Sequence, residues 1–281
     1  KPDVVTYGGC PADQFTMLAP GAPTHTREDW GTSFAAPLAM RTALGIAAFF
    51  GYEVRPLAVK ALLISNARQA GHPINEVGWG QITDDYLDVV TCEGSEVQII
   101  YQGVLRPGKS LRAEVPLPMK MTGNSRVKLS STICYGCEIE PQNPATYTRA
   151  GLEVVFRPHS LLRKTATQLH ADSAPFFQVA DFKATEASLR IDAHKWETTL
   201  KKARSFAVDS LHEPTFDIHY IAREGGANPT SPAEIPYAMV VRVEQSDMAT
   251  LYDEVVARYR NRLEILRPQV AIPVRIYTRQ P

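Results

Sequence analysis

The sequence predicts an α/β segment over residues 1–95, followed by a mainly antiparallel β-sandwich over residues 96–281 with two inserted helices. The first observation behind this is a change of hydrophobic period. Apolar residues before residue 95 fall in helical blocks behind a short buried-strand pattern at Val4 and Val5. From about Val97 the period is two: Val127, Leu129, Ser131, Ile133 and Tyr135 alternate with Lys128, Ser130, Thr132 and Cys134. The second observation is length, since 281 residues are enough for two ordinary cores.

Composition narrows the class. The chain is 44% hydrophobic and 21% charged, which matches soluble globular proteins and excludes collagen-like, coiled-coil and disordered chains. Thirty basic residues balance thirty acidic ones, so no net field draws the molecule toward nucleic acid or an anionic membrane, and neither is expected as a partner. The most apolar stretch, residues 34–52, is interrupted by Arg41 and Thr42 and lacks the order of a secretion signal, so it is expected to be a buried helix instead of a membrane span. Four cysteines, Cys10, Cys92, Cys134 and Cys137, are too few for a disulfide scaffold and fit a cytoplasmic protein better than a secreted one.

The stretch that carries chemistry is Gly31-Thr32-Ser33-Phe34-Ala35-Ala36-Pro37, which opens the helix running to about Phe50. A small hydroxyl at the first turn of a helix lies among unpaired backbone N–H groups and the positive end of the macrodipole, which favour a developing negative charge. Gly31 lets another backbone approach, Ala35 and Ala36 keep the turn slim, and Pro37 sits where no intrahelical N–H is lost. The competing reading is that Gly-Thr-Ser merely caps a core helix.

This stretch resembles the serine motif of the subtilase family of serine peptidases. Lys1-Pro2-Asp3-Val4-Val5 is similar to the buried strand that precedes the nucleophile there, and Val77-Gly78-Trp79-Gly80-Gln81-Ile82 to the turn that closes the family's catalytic domain. The resemblance covers about a third of the chain. It implies a parallel sheet with helices on both sides. It also implies acyl transfer on a polypeptide substrate, with Ser33 as nucleophile and its N–H, helped by the Thr32 hydroxyl, in the oxyanion hole. Subtilases order their triad aspartate, histidine, serine, with the oxyanion asparagine between histidine and serine. Those positions would all precede Lys1, so a missing N-terminal segment is expected to supply them, and this chain alone is expected to be inactive. Calcium, which many members bind, would belong to that segment, leaving no cofactor here. Departures exist: Leu38, Ala39 and Met40 stand where histidine, a small apolar residue and glycine are common, and Trp30 replaces a small residue. Trp30, Gly31 and His25 are therefore candidate substrate-cleft residues. His25, in the loop over residues 21–29, is expected to be a cleft residue and not a substitute base.

A second helix is expected from Arg55-Pro56-Leu57 to about Ala70, and residues 84–91 complete the first domain. Further strands are expected at 97–101, 111–116, 152–156, 187–191, 216–222, 237–243 and 270–277, and helices at 196–207 and 246–266. Arg258, Arg260 and Arg262 do not share one helical face, which argues for a solvated surface over a nucleic-acid stripe. Cys134 and Cys137 have the spacing of half a zinc site, but strand alternation puts Cys134 on the polar face and no second pair exists, so surface or edge thiols are expected. The sandwich resembles the appendage of larger subtilases and is read as a brace. Residues 196–211 together with the long final helix faintly resemble the tails of intracellular bacterial subtilases thought to work beside a partner ATPase. The alternative to a peptidase is a non-catalytic scaffold in which the subtilase domain is degenerate or truncated.

Overall fold

The computed structural model describes residues 2–19, 21, 25–92, 94–119, 121, 126–139, 148–177, 198–222 and 234–268. It begins with an extended segment joined to residues 79–82 by a parallel bridge between Val5 and Gln81, with Val5 N–H donating to the Gly80 carbonyl at 3.0 Å. A hairpin follows, β1 (Phe15–Leu18) against β2 (Thr26–Asp29), in antiparallel register from Phe15↔Asp29 to Leu18↔Thr26. Part of the expected loop over residues 21–29 is thus strand.

Helix α1 (Thr32–Phe50) begins and ends where the sequence places it. It is not a buried helix. Only Thr42, Ile46 and Phe50, one i, i+4, i+8 edge, are buried, whereas Met40 and Leu44 are 58% and 61% exposed. By length and composition alone, Thr32–Glu53 is apolar enough to cross a membrane. Helix α2 (Pro56–Asn66) starts with proline at its first turn but stops four residues short of Ala70. The reason is local pairing: Ala67 is extended and Arg68 exchanges backbone hydrogen bonds of 2.9 Å with Gln81. Two single-turn helices, α3 (Ile74–Val77) and α4 (Leu87–Val90), complete this region.

The rest is β-rich: β3 (Glu96–Leu105), β4 (Ser110–Glu114), β5 (Arg126–Tyr135), β6 (Ala150–Arg157), β7 (Thr199–Ala207), β8 (Thr215–Ala222) and β9 (Ile235–Glu244). Their order is β3-β9-β5-β7 in one sheet and β4-β8-β6 in the other, all pairs antiparallel. Between the sheets lies one core in which Leu129, Ile133, Met239 and Val241 meet Val154, Phe156, Phe216 and Ile218. Each expected strand within the described residues is present; those at 187–191 and 270–277 lie outside them.

Three expectations are corrected. The segment expected as a helix at 196–207 contains β7 instead, paired with β5 from Arg126↔Ala207 to Cys134↔Thr199. Nine cross-strand partners outweigh the helix propensity of its Lys, Ala and Arg residues. The helix expected at 246–266 shrinks to α5 (Leu251–Tyr259), which buries Leu251, Val255 and Tyr259 against the core and lies against β3. Its arginines are not all solvated: Arg258 donates to the carbonyls of Leu117 and Pro118 at 2.9 and 3.1 Å, and Arg262 pairs with Glu114. Finally, Cys134 is fully buried. Helix α2 covers the outer face of the four-stranded sheet, where Ala58, Ala61 and Leu62 share a core with Cys134, Ala238 and Val240. The small alanines let the helix lie close to the sheet, so β5 is buried on both faces and its alternation no longer reports solvent.

Candidate active site

Ser33 is the second residue of α1 and is exposed. Gly31 is the N-cap, no side chain caps the helix, and the first backbone bond runs from Phe34 N–H to the Gly31 carbonyl at 3.0 Å. Neither the Thr32 nor the Ser33 hydroxyl supplies a cap bond. Among the described residues neither Thr32 nor Ser33 uses its hydroxyl in a hydrogen bond, and their amides are among the helix-start donors left without an intrahelical partner. Gly31 has φ +149°, which side chains rarely adopt, and a methyl group placed on it would meet nothing within 4 Å. The backbone just before Ser33 is thus open to an approaching chain.

The support beneath is built from the N-terminal segment and the hairpin. Gly31 N–H donates to the Gly8 carbonyl at 2.7 Å. A Cβ on Gly9, at φ +80°, would lie 2.9 Å from Trp30 Cβ, so glycine is what allows this close crossing. Phe15 of β1 stacks on Phe34 at 5.3 Å and on its other side meets Tyr7 at 5.8 Å. Tyr7 donates to Asp13 Oδ2 at 2.7 Å, and that bond to a carboxylate pushes the phenol's pKa up. The sequence analysis does not reach this aromatic ladder, because it assigns Phe15 to no element and takes only residues 21–29 of the hairpin, as loop.

The other sequence candidates are spread out. Trp30 is 45% exposed beside Gly31. His25 is exposed at the far end of the hairpin, where its carbonyl accepts from Ala19 N–H at 2.9 Å. The four residue steps from His25 to Asp29 span about 13 Å of extended chain. Among the described residues no imidazole or carboxylate hydrogen-bonds to Ser33.

A cleft of about 610 Å³ lies elsewhere, at the junction of α2 with the four-stranded sheet, lined by Asn66, Arg68, Asp88, Glu96 and Arg242 among others. Arg242 donates to Asn66 Oδ1 at 2.6 Å and Gln98 Oε1 at 3.0 Å and pairs with Glu96 at 2.8 Å. Near it Lys201 donates to the carbonyls of Ile64 and Ala67, 2.6 Å each, at the end of α2. Burial first, then the Arg242 charge, push the Lys201 amine down to about 8. These contacts satisfy carbonyls that the helix end leaves open, so the cleft reads as a structural junction and not as part of the Ser33 site.

Thiol chemistry does not gather here either. Among the described residues no cysteine forms a disulfide. Cys137 Sγ donates to the Glu138 carbonyl and accepts from Ala150 N–H, both at 3.1 Å, while Cys134 lies 3.7 Å from Thr199 Oγ1 on the α2 side of β5. Among the described residues no three His, Cys, Asp or Glu side chains converge as a metal site would require.

No family model matches the chain, and no curated protein matches it by sequence. Similarity is found to solved structures of infectious bursal disease virus particles. The VP2 subviral particle of infectious bursal disease virus aligns over 63% of this chain and 37% of its own at 7% identity and a TM-score of 0.28. The Gx strain of the same virus aligns over 56% and 34%, at 8% identity and a TM-score of 0.29. This chain spans little more than a third of those capsid chains, and likeness this low carries no functional argument.

Proposed function

We propose that this chain is the nucleophile-bearing part of a subtilisin-like serine endopeptidase that cleaves polypeptides through an acyl-enzyme on Ser33. One observation carries the reading: Ser33 presents a free, exposed hydroxyl in the first turn of a 19-residue helix whose amides no side chain caps. In this reading the Ser33 N–H, with the Thr32 hydroxyl, faces the oxyanion, and the open backbone at Gly31 admits an extended substrate. The parallel bridge between Val5 and Gln81 supports a remnant of the family's parallel sheet. The base and its carboxylate come from a separate N-terminal segment, so the chain alone binds and orients but does not turn over.

The second reading, a non-catalytic scaffold, is favoured by the lack of any imidazole or carboxylate bonded to Ser33 among the described residues. A fluorophosphonate probe applied to the longest natural form separates the two. Covalent labelling at Ser33, abolished in Ser33→Ala, supports the peptidase. A folded protein that takes no label at Ser33 supports the scaffold.

A further inference from the structure

Away from Ser33, one cluster joins two imidazoles, a hydroxyl and a carboxylate. His159 and Ser160 follow β6 and Pro158, and His212 and Glu213 precede β8. The two stretches are stitched by His212 N–H to the Pro158 carbonyl and Ser160 N–H to the His212 carbonyl, 2.9 Å each. Over that bridge the His159 and His212 rings stack at 4.8 Å with planes 21° apart. Glu213 is held at φ +46°, a left-handed conformation that a non-glycine residue adopts only under constraint.

This bridge fastens one end of a strap, residues 158–177. The other end is fixed by Ala174 N–H on the Phe156 carbonyl and by Phe176 and Phe177 in the core. Between them the strap carries Leu161, Leu162 and Leu169, 65%, 56% and 88% exposed, so burial does little to hold its middle. It nonetheless covers the buried Asp217, since Arg157, which pairs with Asp217 at 2.6 Å, also donates to the Ala171 carbonyl.

We propose that the His159–His212 stack is an acid-released latch on this strap. The hydrogen bonds assign the protons. Ser160 gives its hydroxyl proton to Glu213 Oε2 at 3.2 Å, so His212 Nδ1 donates to Ser160 Oγ at 3.1 Å. A proton added to His212 at Nε2 would therefore cost none of these bonds. His159 differs. Its Nδ1 accepts from the amides of Leu161 and Leu162, 3.2 Å each, and a proton there evicts both donors. It would also place a second cation against the first at stacking distance. The other charged groups on the strap are Arg163, which donates to the Leu161 carbonyl, Lys164, His170 and Asp172, the last engaged by Gln168. Acidification therefore breaks the latch at His159, and the strap loosens beyond Ser160, from the Leu161 and Leu162 amides onward.

Hydrogen exchange of the whole chain tests this, with β9 amides as internal reference and rates corrected for intrinsic pH dependence. In the wild type, exchange at Leu161 and Leu162 should rise by up to about tenfold per pH unit on acidification from pH 7.5 to 5.5, the slope of a single linked proton. His159→Asn keeps an acceptor that does not titrate, and His212→Phe keeps a ring without charge. Both should retain protection near pH 7.5; His159→Asn should lose the acid response, while His212→Phe, which leaves the His159 acceptor in place and removes only the neighbouring charge, should keep it at smaller amplitude. Wild-type protection unchanged relative to β9 at pH 5.5 would overturn the latch, as would a wild-type acid response in His159→Asn.

Discussion

Replacing Lys201 by methionine probes the junction between α2 and the four-stranded sheet. The Lys201 amine donates to two carbonyls at the end of α2 and titrates near 8 in the folded protein against an ordinary value of 10.5. Between those values the unfolded chain binds more protons, so this group's contribution to stability rises with pH across the window from about 8 to 10.5. The slope is about 1.4 kcal/mol per pH unit, giving roughly 3 kcal/mol if the amine were sealed from water and about 2 kcal/mol for its partly exposed position. A neutral amine still has two N–H groups for two carbonyls, so deprotonation removes a buried charge and no hydrogen bond. Cys92, which burial pushes up to about 11, works the other way, because its unfolded thiol ionises first and lowers stability over part of the same range. The difference between wild type and Lys201→Met cancels that background. Urea unfolding followed by circular dichroism at pH 7.5, 9 and 10.5 should show the wild type gaining about 2 kcal/mol on the variant. A difference that stays flat or shrinks with pH refutes the linkage.

Two further outcomes are expected. Asp217 is buried, which alone would raise its carboxyl, but hydrogen bonds from Arg112 and Arg157 outweigh burial and hold it below the usual range. Asp217→Asn should cost about 3–5 kcal/mol by leaving two guanidinium groups without their anion, read as a lower urea midpoint. In the wild type the same carboxylate's stabilisation is complete above its ordinary value of 3.8 and is lost as pH falls through the depressed folded value, so the variant should flatten the acid limb of the stability curve. Native-state titration with a disulfide reagent should modify the exposed Cys10 first and reach Cys92 and Cys134 only on unfolding. Fast modification of Cys134 would contradict the α2 seal over β5.

What the sequence disclosed depended on whether the signal was local. The start of α1, the proline that opens α2 and the alternation of β5 are set by neighbours in the chain, and each appears where periodicity put it. β7 was misread because its Lys, Ala and Arg residues suit a helix in isolation, and only pairing with β5, some 70 residues away, makes it a strand. Cys134 was misplaced for a related reason: alternation tells which residues share a face but not what covers that face. At the candidate site, Gly31, Thr32 and Ser33 were legible as one motif. The supports were not, because Phe15 reaches Phe34 from a hairpin whose strands are only four residues long.

The same two-sided burial bears on how Ser33 is held. α1 packs its Ile46 and Phe50 edge into the core that α2 shares with Cys134, Ala238 and Val240, so the sheet is the floor on which both helices rest. The far end of α2 is fixed by Lys201 of β7 and by Arg242 of β9, which reaches Asn66. Without that floor Leu62, Ile64 and Ala61, all essentially buried, would face water, and the carbonyls of Ile64 and Ala67 would lose their donor. The β-rich region therefore closes one side of the helices' core through Cys134, Ala238 and Val240, and the seating of α1, with Ser33 at its first turn, rests on it. The open stripe at Met40 and Leu44 lies on the exposed side of the same helix, so what remains uncovered on α1 is a face the β-sheets do not reach.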